Sequence, residues 1–154
     1  MRISKKSDYA LRVLFTLADE YGSQPISIRE LAERNDVPKR FLEHIMLDIK
    51  TQGWVKSVSG RYGGYVLGQP PEVITMGQVV RYFDGVLAPV DCASVTDYKP
   101  CSQEASCRFR GVLLEIRNQT ARVMDGATLA SLSVRNPMNI KGMSDLPSDE
   151  DGGS

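Results

Sequence analysis

The sequence predicts a mainly α-helical fold with a small β-wing: a winged helix-turn-helix followed by a long C-terminal helix. Three observations predict it. Apolar residues recur at helical spacing in three short segments before residue 53. Capping and turn residues break the chain between those segments. A glycine-rich stretch, "SGRYGGY" at 59–65, then joins two short β-prone runs, "WVKSV" and "YVLG".

The first helix is expected to begin near Ser7, with Leu11, Leu14, Phe15 and Ala18 on its buried face. "YGSQP" breaks it. Ser27 and Glu30 form an S-x-x-E capping box for a short second helix, "IRELAERN", which buries Ile28, Leu31 and Ala32. "NDVP" is the next break, and Pro38 suits the start of a third helix because its missing N–H costs nothing there. Leu42, Ile45, Met46 and Ile49 form that helix's apolar stripe, and Gly53 stops it. Two helices separated by a few residues and followed by a hairpin make the winged motif. Residues 76, 79, 80 and 83 predict a fourth helix in "TMGQVVRYFDG". A longer helix starts near Arg108 and carries Phe109, Val112, Leu113, Ile116, Thr120 and Val123 on one face. A helix of this kind after a DNA-binding unit suits a homodimer. "TLASLSV", at 128–134, reads as a short final helix. The expected organisation is a winged domain over 1–70, a helix, cysteine loop and dimerisation helix over 71–135, and a disordered acidic tail over 136–154.

Charge separates the two halves of the chain. The 154 residues carry no net charge, but residues 1–70 hold 11 Lys and Arg against 8 Asp and Glu, a net +3. The remainder holds 8 against 11, much of the acid lying in "SDLPSDEDGGS". Such a run reads as solvated tail. No apolar stretch is long enough for a membrane span, and the N-terminus lacks a cleavage-site pattern, so a cytoplasmic protein is expected.

A hairpin turn needs glycine for positive φ, but it does not need Arg61 at its tip. Beside a recognition helix, Arg61 can enter the minor groove of double-stranded DNA, whose negative potential attracts a guanidinium. Gly60, Gly63 and Gly64 would let the backbone approach phosphates. On the third helix, Lys39, Arg40, Glu43 and His44 lie off the apolar stripe. Arg40 suits guanine, Glu43 a cytosine amino group, and His44 either bases or phosphate. A merely solvated, mixed-charge face is the competing reading. Arg2, Lys5 and Lys6 suit phosphates, which add affinity without sequence information. Tyr62 and Tyr65 are expected to pack on the wing. No nucleophile–base pair is recognisable, and the sole histidine lies on the DNA face, so an enzyme is not expected. A protein-interaction module that no longer touches DNA is a rival from another class.

The three cysteines, Cys92, Cys101 and Cys107, follow C-x8-C-x5-C. Structural zinc sites usually carry a closer cysteine pair, and three thiolates leave a tetrahedral metal one ligand short. Iron–sulfur clusters accept thiolates on long polar loops, with one position open to another ligand. Reactive thiols acting as a redox sensor and inert buried cysteines are the alternatives.

Over residues 1–135 the chain resembles the Rrf-two family of iron–sulfur regulators, the IscR, NsrR and RirA-like proteins. The resemblance lies in "MRISKKSDYALRVLF", "SIRELAERNDVPKRFLEHI", the wing "VSGRYGGYVLG", and three cysteines preceding a long helix. It implies a homodimeric transcription regulator of palindromic operators, paired through the helix after the cysteines. It implies that Cys92, Cys101 and Cys107 hold a 2Fe–2S or 4Fe–4S cluster whose state controls DNA affinity. It also implies that Arg61 is the wing arginine and that Arg40, Glu43 and His44 are the reading face. One branch places a histidine shortly after the third cysteine, where this chain reads "CRFRG". Another uses an aspartate near the start of the first helix, donated across the dimer, and Asp8 matches that position. Asp8 also suits a first helical turn simply by complementing the dipole. A carboxylate-held iron would be open to nitric oxide, oxygen or a competing ligand. The alternative function is a metal-free winged-helix regulator switched by cysteine thiol redox state or a small molecule.

Overall fold

The structure, a computed structural model, describes residues 2–85 and 87–133. The tail expected to be disordered lies outside them. The chain forms α1 (Lys5–Asp19), α2 (Ile28–Asn35), α3 (Lys39–Thr51), β1 (Val55–Val58), β2 (Gly64–Leu67), α4 (Met76–Asp84) and α5 (Arg110–Gly126). Two short 3₁₀ turns, Asp91–Ala93 and Glu104–Ser106, lie in the cysteine segment. The fold is mostly helical with one two-stranded antiparallel sheet, in register Val55↔Leu67 through Val58↔Gly64.

Helix starts follow from local donors and acceptors. Ser4 caps α1 by accepting from the Ser7 amide at 3.2 Å, so the helix begins two residues before the expected position. Ser27 caps α2 through the Glu30 amide at 3.1 Å. Among the described residues Glu30 makes no reciprocal bond to the Ser27 amide, and its carboxylate lies 3.6 Å from Arg34. The complete box stands at α4, where Thr75 and Gln78 exchange bonds of 3.1 Å. α2 ends on Asp36 in the left-handed region, φ 52.

One core joins α1 to α4 and the turn after α5. Leu14, Leu31, Leu42, Ile45, Met46, Ile49, Ile74, Val79, Val80 and Leu129 are all fully buried within it. The expected stripes of α3 and α4 face this core. Burying one such aliphatic side chain contributes about 1.5–3 kcal/mol. α1 meets α4 through Asp84, whose carboxylate accepts from the Ser4 amide and the Ser7 hydroxyl, both at 2.9 Å. α4 meets α5 through Arg81, which donates to both carboxylate oxygens of Asp125. A side chain at position 77 would run into that same Asp125 carboxylate, so Gly77 permits the approach.

The described part of "TLASLSV" is not helical. Thr128 pairs with Thr75 as an isolated bridge, and the Leu129 and Ala130 amides donate to Ile74 and Pro71 at 3.0 and 3.1 Å. Thr128 and Ser131 cap each other's amides at 3.0 Å. Short hydroxyl side chains offer the backbone local partners that compete with a helix, and here the tertiary pairing with 71–76 decides.

Candidate functional site

The side chains expected to read DNA lie at three places. Lys39, Arg40, Glu43 and His44 are exposed on the first turns of α3, while Leu42, Ile45, Met46 and Ile49 hold the opposite face in the core. The turn before α3 is pinned from α1: Arg12 Nη1 donates to the Asn35 carbonyl at 3.2 Å, and the Thr16 hydroxyl donates to Asn35 Oδ1 at 2.9 Å. Tyr9 of α1 packs edge-on against Phe41 of α3 at 5.6 Å, and Lys5 sits over the Tyr9 ring at 5.7 Å. Lys5 therefore lies beside the start of the exposed α3 face. The wing is tied to α3 by Lys50, whose Nζ donates to the Ser57 hydroxyl at 2.9 Å.

The wing tip separates two roles for its glycines. Gly60 has φ +109, which an L side chain rarely adopts. Gly63 and Gly64 are required by crowding inside the protein: a Cβ at 63 would meet the Val58 carbonyl, and one at 64 the Ile26 backbone. That second approach exists because Ile26 and Tyr65 exchange backbone hydrogen bonds of 3.0 and 2.8 Å. Arg61 is exposed at the tip, stacked over Tyr62 at 5.6 Å. Both tyrosines were expected to pack on the wing; Tyr65 instead packs against the core, and Tyr62 is 80% exposed and lies beneath Arg61.

The second site lies at the N-terminal end of α5. Cys92, Cys101 and Cys107 all line one cavity of about 890 Å³, together with Val90, Phe109 and Leu113 among others. All three thiols are free; Cys92 and Cys107 are half-buried and Cys101 is exposed. Two arginines one heptad apart on α5 hold the backbone of Cys92 and of Ala93 beside it. Arg110 Nη2 donates to the Cys92 carbonyl at 3.3 Å, and Arg117 Nη1 to the Ala93 carbonyl at 2.7 Å. Arg110 also pairs with Glu104 at 2.8 Å, and the Tyr98 hydroxyl donates to the other Glu104 oxygen at 2.6 Å. The Tyr98 bond, assisted by Arg110 and opposed by burial, holds the Glu104 carboxyl below its ordinary value. The same bond pushes the Tyr98 phenol up. Asp91 and then Asp97 keep Lys99 above its usual range. The sequence reading missed Arg110, Arg117, Glu104 and Tyr98; the i, i+7 spacing of the two arginines was the available signal.

Among the described residues, no three of His, Cys, Asp and Glu are grouped to hold a single metal ion. A multi-iron cluster asks for something different, namely ligands distributed around a cavity, and thiolate is its preferred donor. The three cysteines supply that donor type on the lining of one cavity. Arg110 Nε is buried with no hydrogen-bond partner among the described residues. Asp8 lies apart in the same chain. It lines a different recess with Arg2, Ile3, Ser4, Lys5, Leu11 and Met76.

α5 itself has no buried residue. Of the face expected to be apolar, Val112, Ile116 and Val123 are 61%, 43% and 69% exposed, as is Phe109 just before the helix at 65%. Among the described residues, no helix is long and apolar enough to cross a membrane.

Residues 3–135 match the family model described as an iron-dependent transcriptional regulator. The chain belongs to the Rrf2 family. It is 42% identical over 142 residues to an rrf2-like HTH-type transcriptional regulator of Rhodobacter capsulatus, covering 88% of this chain and 95% of that one. It is 32% identical over 140 residues to the HTH-type transcriptional regulator NsrR of Bacillus subtilis, covering 91% and 94%. Among solved structures, it is similar to CymR, the global cysteine regulator of B. subtilis, with TM-score 0.71, 32% identity and 88% and 98% coverage. It is also similar to T. potens IscR, with TM-score 0.66, 26% identity and 86% and 85% coverage. The hairpin beside α3 is thus the wing of an Rrf2 winged helix. This Rrf2 protein is a transcriptional regulator, in a family that is not enzymatic.

Proposed function

We propose that this Rrf2 protein is a homodimeric repressor or dual regulator whose operator affinity is set by an iron–sulfur cluster. Residues 1–70 read a palindromic operator in double-stranded DNA; residues 71–135 hold the sulfurs and pair the two chains. The observation that carries this reading is that Cys92, Cys101 and Cys107 line one cavity at the root of α5, the helix with the bare apolar face. The three thiolates would hold the cluster, with Asp8 of the second chain as the fourth ligand. When bound, the cluster supplies a redox-active, ligand-reactive iron centre.

The chain's own contacts account for the coupling. Arg110 and Arg117 fix residues 92 and 93 to α5, so a displaced Cys92 segment is felt by the pairing helix. α5 is fixed to α4 by Arg81–Asp125, and α4 to α1 by Asp84 with Ser4 and Ser7. A rotation of α5 against its twin therefore carries the α3 faces with it. Two half-sites stand about 34–36 Å apart, so a modest rotation misplaces the second reading head. A coupling of about 1–3 kcal/mol corresponds to roughly 5- to 150-fold in affinity. Lys39, Arg40, Glu43 and His44 would meet the major groove, Arg61 the minor groove, and Lys5 and the Gly63 backbone the phosphates.

The exposed Cys101 and the likeness to CymR support a second reading, a metal-free regulator switched by thiol oxidation or by a small molecule. A cavity of about 890 Å³ is of small-molecule size. Anaerobic purification with iron and sulfide analysis, followed by operator binding before and after cluster removal, separates the two. Iron and sulfide in fixed ratio to protein, and an affinity that changes on their removal, support the first. Colourless protein whose operator affinity responds to oxidant alone supports the second.

A further inference from the structure

The exposed face of α3 differs from that of its neighbour α2. On α2 the exposed charges are paired: Arg29 with Glu33 at 3.2 Å, and Arg34 with Glu20 at the end of α1 at 3.1 Å. On α3, Arg40, Glu43 and His44 make no side-chain hydrogen bond or ion pair among the described residues. Leu47 stands in the middle of that face. It is 63% exposed, the most open apolar side chain of the helix. At 3.6 residues per turn it lies one heptad from Arg40 on nearly the same bearing, directly away from the buried stripe of Leu42, Ile45, Met46 and Ile49. A single exposed leucine needs no special account. This one is set among unpaired polar side chains on the face turned from the core. The thymine C5 methyl is the one apolar group that the four bases display in the major groove, so it is the partner there for an apolar side chain.

We propose that Leu47 is a specificity-determining residue that reads a thymine in each half-site by covering its C5 methyl. The inference rests on the α3 face that the proposed function sets in the major groove. Leu47 lies about 10.5 Å along the helix axis from Arg40, so its thymine belongs to a different base pair from the guanine that suits Arg40. Arg40, Glu43 and His44 select by hydrogen bonds, whereas Leu47 selects by removing two apolar surfaces from water. Neighbouring polar groups do not compete for that place. The Thr51 hydroxyl donates to the Leu47 carbonyl and Lys50 Nζ to the Ser57 hydroxyl, both at 2.9 Å.

The test uses the full-length protein, prepared anaerobically, with Leu47→Ala and Arg40→Ala beside the unaltered chain. The parent first selects its sites from duplexes with a randomised central region. The selected duplex is then remade with deoxyuridine in place of one thymine at a time in one half-site, which removes the methyl and nothing else. Fluorescence anisotropy at fixed salt measures each affinity. One such exchange should weaken parent binding by about fourfold, as expected for one buried methyl group, and should leave Leu47→Ala binding unchanged. Leu47→Ala should also accept other bases at that position while keeping the parental salt slope, since no phosphate contact is removed. Exchanges that are silent at every thymine, or that weaken Leu47→Ala as much as the parent, overturn the proposal and leave the DNA-reading face standing. Arg40→Ala tests that face separately: if it binds the selected duplex with parental affinity and sequence preference, or if the parent enriches no sequence, the α3 reading fails and the proposal with it. Should Leu47→Ala lose helical circular dichroism, Leu47→Gln, which keeps the length but not the apolar surface, carries the same comparison.

Discussion

Asp8 and Arg12 are joined at two points: Arg12 Nε donates to Oδ1 at 2.9 Å, and Nη2 to Oδ2 at 3.0 Å. The remaining arm of the same guanidinium reaches the Asn35 carbonyl, at the turn leading into α3. Arg12 also lies over the Tyr9 ring, which packs on Phe41. Any ligand role for Asp8 therefore competes with a contact that steadies the DNA-reading helix.

This competition gives the first prediction. Asp8→Ala should leave the thermal midpoint nearly unchanged, because the pair is solvent-exposed and such pairs contribute little. It should shorten the lifetime of the reconstituted cluster in air and alter its visible spectrum. Stopped absorbance traces of both proteins check this; identical spectra and decay would remove Asp8 from the ligand set.

Arg61 is predicted to act on DNA, not on the fold. Arg61→Ala should weaken operator binding and lower the salt-dependence slope by about 0.9 if one phosphate contact is lost. Fluorescence anisotropy across a salt series measures it. Gly63→Ala should behave differently, destabilising the wing by about 1–3 kcal/mol as its Cβ displaces the Val58 carbonyl. An Arg61→Ala protein with parental affinity and slope would place the DNA contacts elsewhere.

The bare face of α5 makes a third prediction. Val112→Glu with Val123→Glu should leave one chain folded, since both side chains already face solvent within it. Light scattering after gel filtration should show monomer, and operator affinity should fall because one half-site alone is engaged. A dimer that survives both changes would exclude this face as the pairing surface.

The Tyr98–Glu104–Arg110 contact sets a pH window. Glu104 titrates below its ordinary 4.5, so its contribution is fully present above that value and is lost as pH falls through the lowered folded value. Tyr98 titrates above its ordinary 10.0 and stays a donor across the neutral range. In metal-free protein, the difference in thermal midpoint between the parent and Tyr98→Phe should be flat from about pH 6 to 9 and should shrink below the ordinary carboxylate value. A difference that varies through the neutral range would mean that another group titrates in this contact.

The sequence alone determined the helical stripes, the wing and the clustering of sulfur. The periodicity of residues 42, 45, 46 and 49 and the glycine turn at 59–65 are local signals, and local backbone preferences act over a few neighbours. Residue identity also made the thiols candidate ligands, because donor chemistry does not depend on the fold. What joins distant segments was decided by tertiary structure. Asp84 reaches Ser4 and Ser7 across the chain, Arg12 steadies the Asn35 turn, and Thr128 pairs with Thr75 where a helix was expected. Gly63 looked like a residue chosen for phosphate, yet crowding against Val58 is enough to require it. Arg110 was one charge among many until its neighbours were known. Whether a polar side chain is engaged, buried or left unpaired is set by groups far away in sequence, and only the packed chain brings them together.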